Sequence, residues 1–273
     1  MSVAVGLLEA AGGASRGSRI VNLIGGAATF GHGKVIDENL QNKIRSHMDI
    51  QKERDNTKFL KAATKFFQEL ALRAQKAGIV MDLFVSALDQ VGVLEMKAVF
   101  EQTGGFYVMT DSYGNPVFKE SFRKFFEVAE EDGELKMGFL GELKLLASKE
   151  VKIQGAIGQV TAIKDKTAAA HMIADTEVGA GQTNKWYLGG LDRNKTIAFY
   201  LDIVNQVVSP QHIKVHLQFQ TTYQHSNGTR RLRVTTCQRL MTPGENYREL
   251  AYGFDQETAA ILTSRQAITN LQG

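Results

Sequence analysis

The first half of the chain alternates between short apolar runs and stretches with helical periodicity. Apolar runs predict strands at 19–26, 79–89 and 106–110, and apolar side chains at helical spacing predict helices at 58–77, 94–102 and 119–132. Strands that alternate with helices are typical of a parallel sheet covered by helices. The sequence therefore predicts an α/β domain over residues 19–132, with an incomplete sheet because only about three strands can be recognised.

The pattern changes after Gly133. From there to residue 244, apolar and polar residues alternate in short runs broken by glycine, which predicts antiparallel strands and favours a β-sandwich. Helical spacing returns from 245 to 270. We therefore expect an α+β multidomain fold: an N-terminal segment at 1–18, a partial α/β domain at 19–132, a β-sandwich at 133–244 and a C-terminal helix at 245–273.

Composition narrows the class of protein. The 273 residues are 43% hydrophobic and 22% charged, as in a globular protein that buries a core. A single cysteine, Cys237, excludes a disulfide framework and a cysteine-rich zinc site within these residues, which favours a reducing compartment such as the cytosol. The first residues lack the basic segment that precedes the apolar run of a secretion signal. No stretch of the sequence is long and apolar enough to predict a membrane span.

Phosphate-binding and metal-binding patterns are incomplete. The loop at 25–34 follows a strand, but its glycine and lysine spacing fits neither GxxxxGK[ST] nor GxGxxG, so we interpret it as a connector. His212 and His216 would suit a metal on a helix, but on the predicted strand they would lie about 13 Å apart. Asp111 begins only part of a metal-binding DxSxS pattern. We assign no metal site and no cofactor.

A catalytic centre is equally hard to find. Cys237 and the serines lie in no recognisable nucleophile elbow, and Asp82, Asp89 and Asp111 lie on or after strands with no partner that the sequence identifies. We therefore predict no catalytic residue. A small α/β enzyme with an unrecognised site stays open as an alternative.

The charge is concentrated in one interval. Net charge is only +3, yet no acidic residue occurs between Asp202 and Glu245. Residues 223–236 (YQHSNGTRRLRVTT) predict a hairpin, with the pair Asn227 and Gly228 suited to the positive φ angles of a tight turn. The basic side of this hairpin could be a solvated surface or could face an acidic membrane. Nucleic acid is not favoured, because no aromatic ladder interleaves the arginines.

Within that hairpin, strand alternation separates basic from apolar side chains. Arg231 and Arg233 share one face, and Leu232 and Val234 share the other, which predicts one basic face and one buried face.

Several long segments together resemble one family. They are SRIVNLIGGAATFGHG, MDLFVSALDQVGVLEMK, TGGFYVMTDSY, EVKIQGAIG, YQHSNGTRRLRVTT and AYGFDQETAAIL, in this order between about Ser18 and Ala267. The chain resembles the GTPase-activating subunit of the COPII inner coat. The sequence departs from the family pattern at Ala27 and His32, where prolines are common, and in the run CQRLMTPGENY, which leaves Trp186 as the single tryptophan.

The resemblance implies a fold and a set of partners. Residues 19–132 would be the second half of a von Willebrand factor A-like trunk, 133 to about 241 most of a β-sandwich, and the last segment the first helix of a helical domain. Implied partners are a cargo-binding coat subunit, a Sar-type GTPase, an acidic membrane and outer-coat subunits, with a cytoplasmic location, peripheral on the endoplasmic reticulum membrane and COPII vesicles.

The resemblance also limits what these residues should do. The family's zinc finger and its gelsolin-like domain, which carries the arginine inserted into the GTPase, have no counterpart among them. We expect a truncated coat component without GTPase-activating capacity of its own, or a fragment without function. The resemblance implies that Lys214, Arg230, Arg231 and Arg233 are the candidates for a membrane-facing surface.

Overall fold

The computed structural model describes residues 1–12, 17–39, 43–130, 133–164, 170–204 and 213–272. They divide into two compact units. The first unit comprises 1–140 with the short segments 189–193 and 224–229, and the second comprises the remaining residues.

A parallel sheet forms the centre of the first unit. Its strands are β1 (Ser18–Ile24), β2 (Ile79–Ser86) and β3 (Tyr107–Thr110), in the order β1-β2-β3, with Ser18 opposite Ile79 and Leu83 opposite Tyr107. Five α-helices accompany them among the described residues: α1 (Ser2–Ala10), α2 (His47–Gln51), α3 (Leu60–Lys76), α4 (Val93–Thr103) and α5 (Pro116–Phe125). The three predicted strands are therefore present.

Helices cover both faces of β2. Met81 and Val85 pack into a core with Phe67 of α3 and Phe100 of α4. Phe84 points to the opposite face, as strand alternation requires, and its ring lies against Phe106, Phe118, Phe122 and Phe125. A strand buried on both faces needs apolar residues at successive positions, which explains the continuous run IVMDLFV.

The helices of this unit differ from the sequence-based expectation at two places. The predicted helix at 119–132 begins earlier, at Pro116, where the Asn115 side chain accepts a hydrogen bond from Val117 N at 2.9 Å. It ends at Phe125, and Val128 pairs instead with Leu135 in an isolated bridge. The N-terminal segment, for which no helix is predicted, contains α1.

The second region is all β, as predicted. One sheet has the order β10-β9-β4-β7-β6 and the other pairs β5 with β8. The strands are β4 (Gly138–Ala147), β5 (Val151–Ile157), β6 (Thr161–Ala162), β7 (Lys185–Leu191), β8 (Ala198–Ile203), β9 (Ile213–His225) and β10 (Arg230–Met241). The sheets meet through the rings of Trp186, Phe199 and Phe219, so the fold is a β-sandwich.

The C-terminal segment forms two helices where the sequence predicts one. α6 (Tyr247–Gly253) stops before Phe254, whose backbone is extended, and α7 (Gln256–Gln272) begins directly after Asp255. The Asp255 carboxylate accepts from Thr258 N at 2.9 Å and so caps α7. α7 contacts the sandwich where Tyr200 Oη donates to Leu262 O at 3.2 Å. The predicted domain limits at 18, 132 and 244 stay predictions.

Among the described residues, no helix combines the length and the apolar character needed to cross a bilayer.

Candidate docking surface on the arginine hairpin

Strands β9 and β10 form the predicted hairpin, but with a different turn. His225 N donates to Thr229 O at 2.9 Å, and Gly228 N donates to His225 O at 2.9 Å. The loop therefore has three residues, Ser226 to Gly228, and only Gly228 has a positive φ, of 85°. A two-residue turn with positive φ at both Asn227 and Gly228 is thus wrong. A glycine in the left-handed region closes a three-residue hairpin without strain.

Two cross-strand side-chain hydrogen bonds identify the faces of the hairpin. His216 Nε2 lies 3.2 Å from Gln238 Oε1, and Gln218 Nε2 donates to Thr236 Oγ1 at 3.0 Å. Because side chains alternate along a strand, even-numbered residues of both strands share this face. Odd-numbered residues point the other way, where Phe219 meets Phe199 of the second sheet.

The predicted buried face of β10 does not exist. Leu232 is 63% exposed and Val234 is 51% exposed. They share the face of His216, which is turned away from the second sheet. Arg231 and Arg233 lie on the face turned towards that sheet, yet they too are exposed. The reason is topological: the second sheet has only two strands among the described residues, so it leaves β10 uncovered.

The four membrane-facing candidates are all exposed but do not form one cluster. Lys214 and Arg230 share the even-numbered face, while Arg231 and Arg233 lie on the odd-numbered face. Lys214 on β9 lies opposite position 240 of β10, and position 240 is ten residues from Arg230. Roughly 33 Å along the strands therefore separates Lys214 from Arg230. The four side chains are therefore divided between two faces of the sheet, and their contact with a membrane stays a prediction.

The first unit contains buried charge pairs that the sequence does not reveal. Asp82, for which no partner is predicted, is fully buried and accepts from Arg19 Nε and Nη2 at 2.6 and 2.7 Å. Arg45 and Glu95 form a second buried pair, 2.5 Å apart. Asp82 and Glu95 are single acidic residues among apolar neighbours, which is the available signal, whereas Arg45 lies in a polar stretch that does not mark it. Each pair satisfies its own charges, so neither offers a free acid, base or ligand-binding group.

The other polar residues singled out by sequence show local roles. Asp111 accepts from Asn115 Nδ2 at 2.8 Å, which lowers the pKa of its carboxyl together with the backbone of Ser112. His212 lies outside the described residues. Within the described part of the chain, no group of three or more His, Cys, Asp or Glu side chains could hold a metal. Cys237, the single cysteine of the sequence, is a half-buried free thiol on β10, and the expectation that these residues hold no cofactor stays a prediction.

The fold defines a class of protein in which a helix-covered parallel sheet precedes a β-sandwich. Two family models match in that order: the Sec23/Sec24 trunk domain over residues 1–127 and the Sec23/Sec24 beta-sandwich domain over 138–242. The chain belongs to the Sec23/Sec24 family of the COPII coat, which acts in vesicle transport from the endoplasmic reticulum to the Golgi. The predicted resemblance to this inner-coat family and the predicted fold class are confirmed.

A solved structure shows the same fold. The crystal structure of the human COPII-coat protein Sec24c matches 87% of this chain with a TM-score of 0.57 and 18% sequence identity. The match spans 28% of that chain, so these residues correspond to about a quarter of its length. Both family models carry the names Sec23 and Sec24, so the assignment to the GTPase-activating subunit stays a prediction.

Proposed function

We propose that this chain acts in the COPII inner coat as a binding component, with a cargo-adaptor subunit, a Sar-type GTPase and an acidic membrane as its partners. The observation that supports the proposal is the succession of the two family models on the fold that they describe. Its location would be cytoplasmic and peripheral on the endoplasmic reticulum membrane and COPII vesicles, with outer-coat subunits as further partners.

The trunk unit is the proposed contact for the adaptor subunit. β1 is an outer strand of the described sheet, and Leu23 on it is 59% exposed. Co-expression with a cargo-adaptor subunit, followed by size exclusion with light scattering, tests this contact. A stable one-to-one complex is the expected result. If the chain is folded by circular dichroism but stays monomeric in the presence of the adaptor, the proposed contact is refuted.

For the membrane, the geometry favours the even-numbered face of the hairpin. Lys214 and Arg230 flank exposed apolar residues there, Leu232, Val234 and Leu240. Basic side chains near an acidic surface contribute about 1 kcal/mol each, and exposed apolar side chains add burial in the headgroup region. The opposite face offers a matched control, since Arg231 and Arg233 carry the same charge but point the other way.

Liposome flotation with phosphatidylserine vesicles separates the two faces. The pair K214E/R230E should reduce bound protein about tenfold or more, because two charge reversals replace attraction with repulsion. The pair R231E/R233E should have a smaller effect. Equal effects of the two pairs would assign binding to net charge, and no effect of either would leave the hairpin as a solvated surface. Unchanged melting of both variants is the control for folding.

We also propose that these residues alone do not accelerate GTP hydrolysis. In the family that the chain resembles, the arginine inserted into the GTPase lies in a domain that has no counterpart among these residues. Such an arginine accelerates GTP hydrolysis on the order of a thousandfold. Phosphate release by a Sar-type GTPase, measured with and without the purified chain, tests this. A clear acceleration by the chain would refute it.

A further inference from the structure

Strand β10 has an open backbone edge. His225 N bonds to Thr229 O, so these two residues form a hydrogen-bonded pair. In an antiparallel ladder every second residue forms such a pair, so the odd-numbered residues of β10 bond to β9 through their backbone groups. The N–H and C=O groups of Leu232, Val234 and Thr236 then point away from β9. β10 is the last strand of its sheet among the described residues, so these groups have no strand partner there.

The side chains along this edge divide by chemistry. Arg231 and Arg233 are exposed on one face and make no ion pair with any other described residue. Leu232 and Val234 are exposed on the other. Beyond them, Arg239 Nη1 donates to Gln238 O at 2.9 Å, which occupies that carbonyl. The open part of the edge is therefore 230–237.

These features specify a partner. A strand added beside β10 continues both faces of the sheet. Every second side chain of the added strand then lies next to the positive charge of Arg231 and Arg233, and the side chains between them lie next to the apolar surface of Leu232 and Val234. Acidic and apolar residues in strict alternation satisfy both faces. A second copy of β10 fits poorly, because an antiparallel two-fold pair places arginines beside arginines.

We propose that the β10 edge over residues 230–237 binds an extended segment of a partner protein in which acidic and apolar residues alternate. The segment adds as a strand, its backbone bonding to the outward groups of Leu232 and Val234, and its acidic side chains pairing with Arg231 and Arg233. Main-chain bonds supply affinity in this mode and alternate side chains supply specificity. The proposal does not depend on the coat function.

Three peptides of one length test the pattern with the intact chain. The first alternates Glu and Val, the second has the same composition as Glu-Glu-Val-Val repeats, and the third alternates Lys and Val. Fluorescence anisotropy at low salt should show binding of the first peptide, about tenfold weaker binding of the second, and none of the third. Equal binding of the first two would overturn the proposal in favour of unspecific charge attraction.

Two variants locate the site. R231E/R233E should abolish binding of the Glu-Val peptide, and K149E, at an exposed position in the turn between β4 and β5, should leave it unchanged. V234P removes an outward N–H from an edge strand, a position that tolerates proline, and should weaken binding with the fold intact. Full binding by a folded V234P variant or by R231E/R233E would refute the edge.

A peptide series keeps the test independent of how the variants fold. Methylation of alternate backbone nitrogens blocks a strand's bonds on one side only, so one of the two methylation patterns should bind and the other should not. Equal binding of both would contradict strand addition. If the chain forms concentration-dependent dimers that V234P abolishes, the edge binds a second copy and the proposal is overturned. If the chain binds no peptide but binds vesicles, and R231E/R233E abolishes the vesicle binding, the arginines contact a membrane instead.

Discussion

Arg19 and Asp82 form a two-point ion pair between β1 and β2. Nε and Nη2 of Arg19 donate to the two carboxylate oxygens of Asp82 at 2.6 and 2.7 Å. The carboxylate also accepts from Phe106 N at 2.7 Å, directly before β3, and the guanidinium lies 4.5 Å from the centroid of the Phe125 ring in α5. One buried carboxylate therefore connects β1, the start of β3 and, through Arg19, helix α5.

Removing Arg19 should be costly. In Arg19→Met, Asp82 keeps a fully buried carboxylate without its cation, and such losses cost about 3–5 kcal/mol of unfolding free energy. Urea unfolding followed by circular dichroism measures this. The double variant R19M/D82N should recover part of the loss, because the buried charge is gone. An exposed pair, Arg73 with Glu9, is the matched control, and Arg73→Met should change stability little.

Tyr187 should make the sandwich sensitive to alkali. Burial, and then the nearby Glu142, raise the pKa of its phenol from 10.0 to about 12. The folded state thus holds a proton that the unfolded state releases above about pH 10, so stability is full below that pH and falls between about 10 and 12. Tyr187→Phe should remove this part of the decline. Denaturation midpoints across that range measure it, and identical slopes for both proteins would contradict it.

Trp186 should report on the sandwich alone. It is fully buried, its Nε1 donates to Ala180 O at 2.7 Å, and its ring meets Phe199 edge-on at 5.1 Å. Because it is the single tryptophan, its emission should be blue-shifted and should follow unfolding of the β-sandwich. Trp186→Phe should cost about 1–2 kcal/mol through the lost hydrogen bond and a small void. Tyr223→Phe, at a partly exposed position, is the control.

Local patterns predicted the elements that packing reinforces. Strand β2 and helix α3 have long runs with clear apolar periodicity, and both occur close to the predicted bounds. The break at Phe254 is not predicted, because helical spacing continues through it. The cap at Asp255 depends on side-chain hydrogen bonds, which the Asp255 carboxylate accepts from Thr258 N and Thr258 Oγ1. Periodicity states which residues can share a face, whereas caps decide where a helix ends.

The hairpin shows a second limit of sequence patterns. Alternation correctly separated Arg231 and Arg233 from Leu232 and Val234. It could not tell which set faces a core, since that depends on whether the second sheet extends over β10. The usual preference for buried leucine and valine failed because β10 is an edge strand with both faces exposed. The partner of Asp82 was also beyond prediction, because Arg19 is 63 residues away in sequence.

Gly105 should tolerate no side chain. A Cβ there would lie 1.9 Å from Met81 O, a backbone atom of the central strand β2 that cannot move without disturbing the sheet. Gly105→Ala should therefore destabilise the trunk unit by about 2 kcal/mol or more, through overpacking. Gly114→Ala is the matched control, because its Cβ would meet only Ser112 Oγ at 3.6 Å, an ordinary contact.

Hydrogen exchange locates the effect of Gly105→Ala. Amides of β2 and β3 should exchange faster in this variant, while amides of β5 and β8 in the sandwich should keep their protection. Uniform acceleration across both units would mean that they unfold as one, and unchanged exchange in β2 would show that the loop before β3 accommodates the added methyl group. Because Met81 lies in the middle strand of the three, any shift of its carbonyl is passed to both neighbouring strands. We therefore expect the first outcome.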